Sequence, residues 1–109
     1  MRVNLNFDVS SVPGKTGEYI TFRKEIELDF LPVVEMTFFL ADVYDGAWHG
    51  SLDTKVERVS CSLTSLVDGR PLVNVFFKTI DWGFLFSRTN CEVWARVREG
   101  LVADGWVII

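Results

Sequence analysis

Alternation of apolar and polar residues dominates the first third of the chain. Val3, Leu5, Phe7 and Val9 take turns with Arg2, Asn4, Asn6, Asp8 and Ser10. This is the period of two that puts one face of a strand in a core and the other in water. After the loop-forming stretch SSVPGKTG, the pattern resumes more strongly. Ile20, Phe22, Ile26, Leu28 and Phe30 hold the even positions, while Tyr19, Thr21, Arg23, Glu25, Glu27 and Asp29 hold the odd ones. Only Lys24 breaks the apolar series. So long an alternation predicts an antiparallel strand with one solvated face. At about 3.3 Å per residue it would reach roughly 40 Å, so a bend or bulge is expected, marked by Lys24. Pro32 ends it.

The run FLPVVEMTFFL, residues 30–40, is the most apolar part of the chain. A membrane-spanning helix needs about 20 apolar residues, and this run is short and contains Pro32 and Glu35. It reads as a strand with Val34, Met36, Phe38 and Leu40 on one face. Val33, Glu35, Thr37 and Phe39 form a half-polar second face that is expected to be partly covered. ADVYDGAWHGSLDT, residues 41–54, reads as a loop because of Asp45, Gly46 and Gly50. A strand is expected over 56–66, with Val59, Cys61 and Leu63 inward, and another over 72–80, with Val73, Val75 and Phe77 on one face. Asp68-Gly69 between them is a hairpin signal. DWGFLFSR reads as a turn and a short strand.

Residues 90–103 fit two patterns. As a strand, Cys91, Val93, Ala95 and Val97 face inward. As a helix, Thr89 and Glu92 form a capping box, Val93, Trp94, Val97 and Leu101 share a face, and Glu92 and Arg96 are an i,i+4 pair. The helix is favoured, although Gly100 weakens it. Asp104-Gly105 then ends it, and WVII is a terminal strand. Five or six strands followed by one helix and a last strand predict a single α+β domain over residues 1–109. The expected architecture is a strongly curved antiparallel sheet or small β-barrel of about six strands, with one C-terminal helix closing an end.

Composition narrows the function classes. With 11 basic and 15 acidic residues the net charge is −4, which disfavours non-specific nucleic-acid binding. The opening MRVNLNFDV lacks the apolar core of a secretory leader. Cys61 and Cys91 form no CxxC, so a cytoplasmic protein with two thiols is expected, with no membrane segment. Nine Phe, four Trp and two Tyr are many rings for a small core, so some are expected at an interface or groove.

Catalytic signatures are weak. PGKTG imitates the end of a phosphate-binding loop, but Val9 stands where the first glycine is needed and a strand follows instead of a helix. His49 is the only histidine; there is no G-x-S-x-G elbow, and zinc would want more His or Cys than the neighbouring Asp42, Asp45 and Asp53 supply. Glu25, Glu27 and Asp29 are close carboxylates but line a solvated strand face, where a cleft would be needed to shift their pKa. No catalytic residue, metal or cofactor is expected, and enzymatic activity is the less favoured reading.

Charge along the chain is segregated. From Glu25 to Thr54 there are seven acids and no Lys or Arg. Alternate strand residues repeat at about 6.6 Å, close to the roughly 7 Å between phosphates along an extended nucleic-acid strand. Such a row is suited to steering a basic partner, in its sharpest version by mimicry of nucleic acid. The reading favoured here is a small non-enzymatic protein-binding or regulatory module. Its acidic, aromatic-rich surface comprises Glu25, Glu27, Asp29, Tyr44, Asp45, Trp48, His49 and Trp82. A small-molecule or nucleotide-binding protein with a pocket around His49, lined by Tyr44, Trp48 and Trp82, is the alternative. Strand edges at 72–80 or 106–109, or the half-polar face of 33–40, are expected to support a homodimer.

Overall fold

A computed structural model describes residues 1–10, 12, 19–44, 49–62, 69–85 and 91–109. Its strands are β1 (Arg2–Ser10), β2 (Tyr19–Glu27), β3 (Thr37–Tyr44), β4 (His49–Ser62), β5 (Leu72–Phe77), β6 (Ile80–Asp81) and β7 (Val107–Ile108). The helices are one short turn, α1 (Trp82–Leu85), and the longer α2 (Cys91–Ala103). The α+β expectation holds. Six strands curl into a half-barrel in the order β3-β4-β5-β1-β2-β7, β6 pairs with β1 off that path, and α2 is the single C-terminal helix.

The alternation at the start of the chain does what it predicts. Val3, Leu5, Phe7 and Val9 are buried, and so are Ile20 and Phe22 opposite them. The β1–β2 ladder runs without a break from Arg2↔Glu27 to Ser10↔Tyr19. The bulge expected at Lys24 is therefore absent, and β2 stops at Glu27, short of the predicted length. Lys24 keeps its inward register position by extending past the core. Its Nζ lies 3.0 Å from Asp104 and 5.9 Å from the centre of the Trp106 ring, so an apolar stem carries the charge to the rim.

The sheet is mixed rather than antiparallel throughout. β1 pairs parallel with β5, Val3↔Val73 to Asn6↔Phe76, and with β6, Val9↔Ile80 and Ser10↔Asp81. Periodicity tells which side chains face the core, but a parallel neighbour arrives by a long crossover that it does not encode. As a consequence β5 lies inside the sheet, not at an edge, and the edges are β3 and β7. The predicted strand 72–80 is interrupted at Lys78 and Thr79, where the pairing with β1 slips by one residue.

The apolar run 30–40 is strand only from Thr37. Pro32 is buried, and a turn follows in which Met36 N–H donates to the Val33 carbonyl at 3.1 Å. Glu35, third in that turn, has φ of 74° while Val34 does not have a positive φ, the pattern of a type II turn. The predicted loop 41–54 is also corrected. β3 extends through Tyr44 and β4 starts at His49, with Tyr44↔His49 the last pair of their antiparallel ladder. Cross-strand pairing outweighs the local turn signals, and Asp45, Gly46 and Trp48 lie outside the described residues.

Two register shifts shape the pairings of β4, one with β3 between Phe39 and Ala41 and one with β5 between Val56 and Arg58. The second moves the inward positions of β4 from even (Leu52, Val56) to odd (Val59). Cys61 keeps the inward parity but is an exposed free thiol near the strand end. β4 and β5 pair antiparallel up to Ser62↔Leu72, as the hairpin signal implied; Asp68 lies outside the described residues and Gly69 has φ of 71°.

Residues 91–103 are helical. Val93, Trp94, Val97 and Leu101 are buried together, the face the helical reading assigned. The helix ends in a Schellman motif: Trp106 N–H donates to Leu101 O at 3.0 Å and Gly105 N–H to Val102 O at 3.1 Å, with Gly105 at φ of 101°. The concavity is filled with rings. Phe7 stacks on Phe22 at 5.0 Å and meets Trp106 edge-on at 4.9 Å, and Trp82 meets Trp94 at 4.9 Å. Large rings fill the space between a curled sheet and a helix, so three of the tryptophans serve the core rather than a surface.

Candidate functional site

Glu25 and Glu27 follow one another on the outer face of β2, and Asp29 sits in the bend beyond it; all three are exposed. They are not a bare acidic row. Glu25 Oε1 is 3.1 Å from Arg2 Nε, Glu27 Oε2 is 3.2 Å from the ammonium of Met1, and Arg23 precedes them on the same face. Glu35 is also compensated, by Lys78 at 2.9 Å and Lys55 at 3.7 Å. The Lys78 hydrogen bond and charge, with a smaller contribution from Lys55, hold the Glu35 carboxyl below the usual carboxylate range. The segment without Lys or Arg therefore meets cations brought from elsewhere in the chain.

The aromatic candidates separate. Trp82 was expected in a loop as a contact residue; it is 1% exposed, in α1 against Trp94, and offers no surface. A ring this large gains most by burial, and here it packs against Trp94. Tyr44 and His49 are opposite one another in the β3–β4 ladder, and Asp45 and Trp48 lie outside the described residues.

Other exposed apolar side chains fall within residues 30–39 and on two sides of β3: Phe30 packs toward Phe38, with 6.4 Å between ring centres, and Phe39 is on the opposite face. Phe30, Leu31, Val33, Val34 and Phe39 are 46–62% exposed. Phe39, the most exposed of them, is directly opposite Asp53 in the ladder. The half-polar face of residues 33–40 is thus an uncovered surface in the isolated chain. Pro32 is buried, but the turn that follows it carries Val33 and Val34 outward, so these two stay exposed despite their composition.

A second feature has no counterpart in the sequence reading. Register places Arg58 on β4 beside Phe76 on β5, Phe76 beside Asn6 on β1, and Asn6 beside Arg23 on β2. These four form one row across the outer face. Both arginines lean toward the middle of it: Arg58 Cζ lies 4.3 Å from the centre of the Phe76 ring, and Arg23 Nε donates to Asn6 Oδ1 at 2.8 Å. A groove of about 570 Å³ opens over the row, lined also by Asp8, Glu57 and Thr79. The only hint in the sequence is that β1 carries Asn, Asn and Asp on its outer face.

Comparison with known proteins finds no matching family model, curated protein or solved structure. Among the described residues no cluster of His, Cys, Asp and Glu is arranged to hold a metal, and no helix is long and apolar enough to cross a membrane.

Proposed function

We propose that this protein acts as a binding module for another polypeptide, docked on the apolar surface at the start of β3. The observation that carries this reading is the exposure of five large apolar side chains within residues 30–39, Phe39 at 62%. Isolated soluble domains rarely leave such a concentration uncovered without a use for it. The chemistry of the partner follows from the neighbours of Phe39. Asp53 lies directly across the ladder. A partner segment with an apolar residue flanked by a basic one fits this pair: the apolar group covers Phe39, and the cation faces Asp53. The basic partner inferred from the sequence is kept, but its docking point moves from Glu25 and Glu27 to the β3–β4 hairpin.

A photo-crosslinking side chain at position 39, with a control at Ser60 on the outer face of the same sheet, tests this in cells that express the protein. A discrete adduct at 39, absent at 60 and lost when Asp53→Lys is added, is the expected result. Identical labelling from both positions would remove the docking surface. An adduct with the mass of two copies of this chain identifies the occupant as a second copy, making the surface a homodimer interface.

A further inference from the structure

We propose that the groove across β4, β5, β1 and β2 is a binding site for a small organic anion: a carboxylate or phosphate ester that also carries a hydroxyl or amino group. The site is separate from the docking surface proposed above and does not depend on it. Its basis is a pair of guanidinium groups that the fold positions without engaging either in an ion pair among the described residues. In this chain acids outnumber bases, and Arg2, Lys24, Lys55 and Lys78 each have a carboxylate within 4 Å. Neither Arg23 nor Arg58 forms an ion pair among the described residues, although both belong to a groove that also holds Asp8 and Glu57.

Each guanidinium is held by contacts that leave donors available. Asn6 is the positioning residue. It is only 4% exposed, and a buried amide must have its bonds satisfied. Its Nδ2 donates to Asn4 O at 3.2 Å and to Val75 O at 3.3 Å, which leaves Oδ1 facing β2. There it accepts from Arg23 Nε at 2.8 Å. The two terminal amino groups of Arg23 remain uncommitted. Arg58 lies over Phe76 at 4.3 Å, a contact that engages the face of the cation and uses none of its N–H groups.

Phe76 and Asn6 are on neighbouring strands, about 5 Å apart. The two cations held over them are therefore placed to share one anion, and charge-assisted bonds from a planar fork suit carboxylate and phosphate alike. The rim defines the rest of the ligand. Asp8 Oδ1 accepts from Thr21 Oγ1 at 2.6 Å and keeps a second oxygen, while Glu57 and Thr79 line the same opening. These acceptors favour a hydroxyl or amino donor on the ligand and repel a polyanion, which excludes a nucleic-acid strand. The volume of about 570 Å³ falls within the range of about 300–1,000 Å³ common for small-molecule clefts.

The arginine Nε–H resonances of the whole chain report on the site by NMR. Glycerol 3-phosphate, malate, inorganic phosphate and glycerol are titrated separately at matched ionic strength. Glycerol 3-phosphate or malate should shift Arg23 and Arg58 saturably, inorganic phosphate should bind more weakly, and glycerol should shift neither. Arg58→Gln alters an exposed side chain and should weaken binding at least about tenfold, the worth of one charge-assisted bond. Arg23→Lys keeps the charge, so the fold can be checked by its melting curve, yet it loses the fork and should weaken binding too. Arg98, an exposed arginine on α2 with no ion pair among the described residues, is the control. Non-saturating shifts of equal size at Arg98, no saturable shift with either organic anion, or unchanged affinity in Arg58→Gln would each overturn the site. Equal affinity for inorganic phosphate and glycerol 3-phosphate would overturn the role given to Asp8 and Glu57.

Discussion

Glu35 occupies a backbone conformation that side chains seldom adopt, at φ of 74°, and it is held there from three sides. Its N–H donates to Val56 O at 2.8 Å, and its carboxylate meets Lys78 and Lys55. The positive φ favours glycine or asparagine, so the lysine pair offsets a local strain. Because the folded-state pKa of Glu35 is lowered by Lys78 and then Lys55, its ionised form stabilises the fold. That contribution is fully present above the ordinary value of 4.5 and is lost as pH falls through the lower folded value. Melting temperatures measured from pH 6 down to pH 3 should therefore fall less steeply in Glu35→Gln than in the parent. At neutral pH, Glu35→Val should melt below Glu35→Asn, since a β-branched residue tolerates this φ least. Nothing in the sequence marks Glu35 as special; alternation places it on a strand face beside Thr37, and only the turn reveals the strain.

At the scale of elements, α2 shows what a local pattern can and cannot foresee. Its buried face, Val93, Trp94, Val97 and Leu101, follows from helical spacing alone. Its two glycines differ in role. A Cβ added at Gly100 meets nothing within 4 Å, so this glycine only weakens the helix, and Gly100→Ala should stabilise the protein by about 0.5–1 kcal/mol in urea unfolding. Gly105 at φ of 101° closes the Schellman motif. Gly105→Ala should shift the same unfolding curve the other way, because the left-handed conformation is strained for alanine whatever space surrounds it. The strands are less predictable than the helix. β4 changes the parity of its inward positions between Val56 and Arg58, and an extra residue of this kind re-aims everything beyond it.

Across the whole molecule, charge that is segregated along the chain is largely paired in space. Glu25 meets Arg2, Glu27 meets the Met1 ammonium, Glu35 meets Lys78 and Lys55, and Asp104 meets Lys24. The exposed pairs of Glu25 and Glu27 contribute about 0–1 kcal/mol each. Changing Glu25, Glu27 and Asp29 together to Gln should therefore leave folding cooperative, with a loss of no more than about 2 kcal/mol in urea. Association at the β3–β4 hairpin should be unchanged in rate by the same triple substitution and slowed by Asp53→Asn, which separates the two acidic surfaces by stopped-flow measurement at low salt.

The sequence by itself determined the inward positions of β1, β5, α2 and the start of β2. Val3, Leu5, Phe7 and Val9, Ile20 and Phe22, Val73, Val75 and Phe77, and the buried stripe of α2 all follow from periods of two and 3.6. Those periods are written locally and survive any arrangement of the neighbours. It also carried the fold class, since alternating runs closed by one amphipathic helix have few ways to share a core. Only the tertiary structure decided who those neighbours are. The parallel union of β1 with β5 joins residues about 70 apart in the chain, and no local pattern records such a register. The same union creates the row Arg58, Phe76, Asn6 and Arg23 from four strands, so the groove was illegible in advance although each of its residues was in view. Burial of Trp82 and exposure of Val33 and Phe39 reverse their sequence-based expectations for a related reason: accessibility belongs to the assembled surface, and a ring or an apolar run is hidden only if another element arrives to cover it.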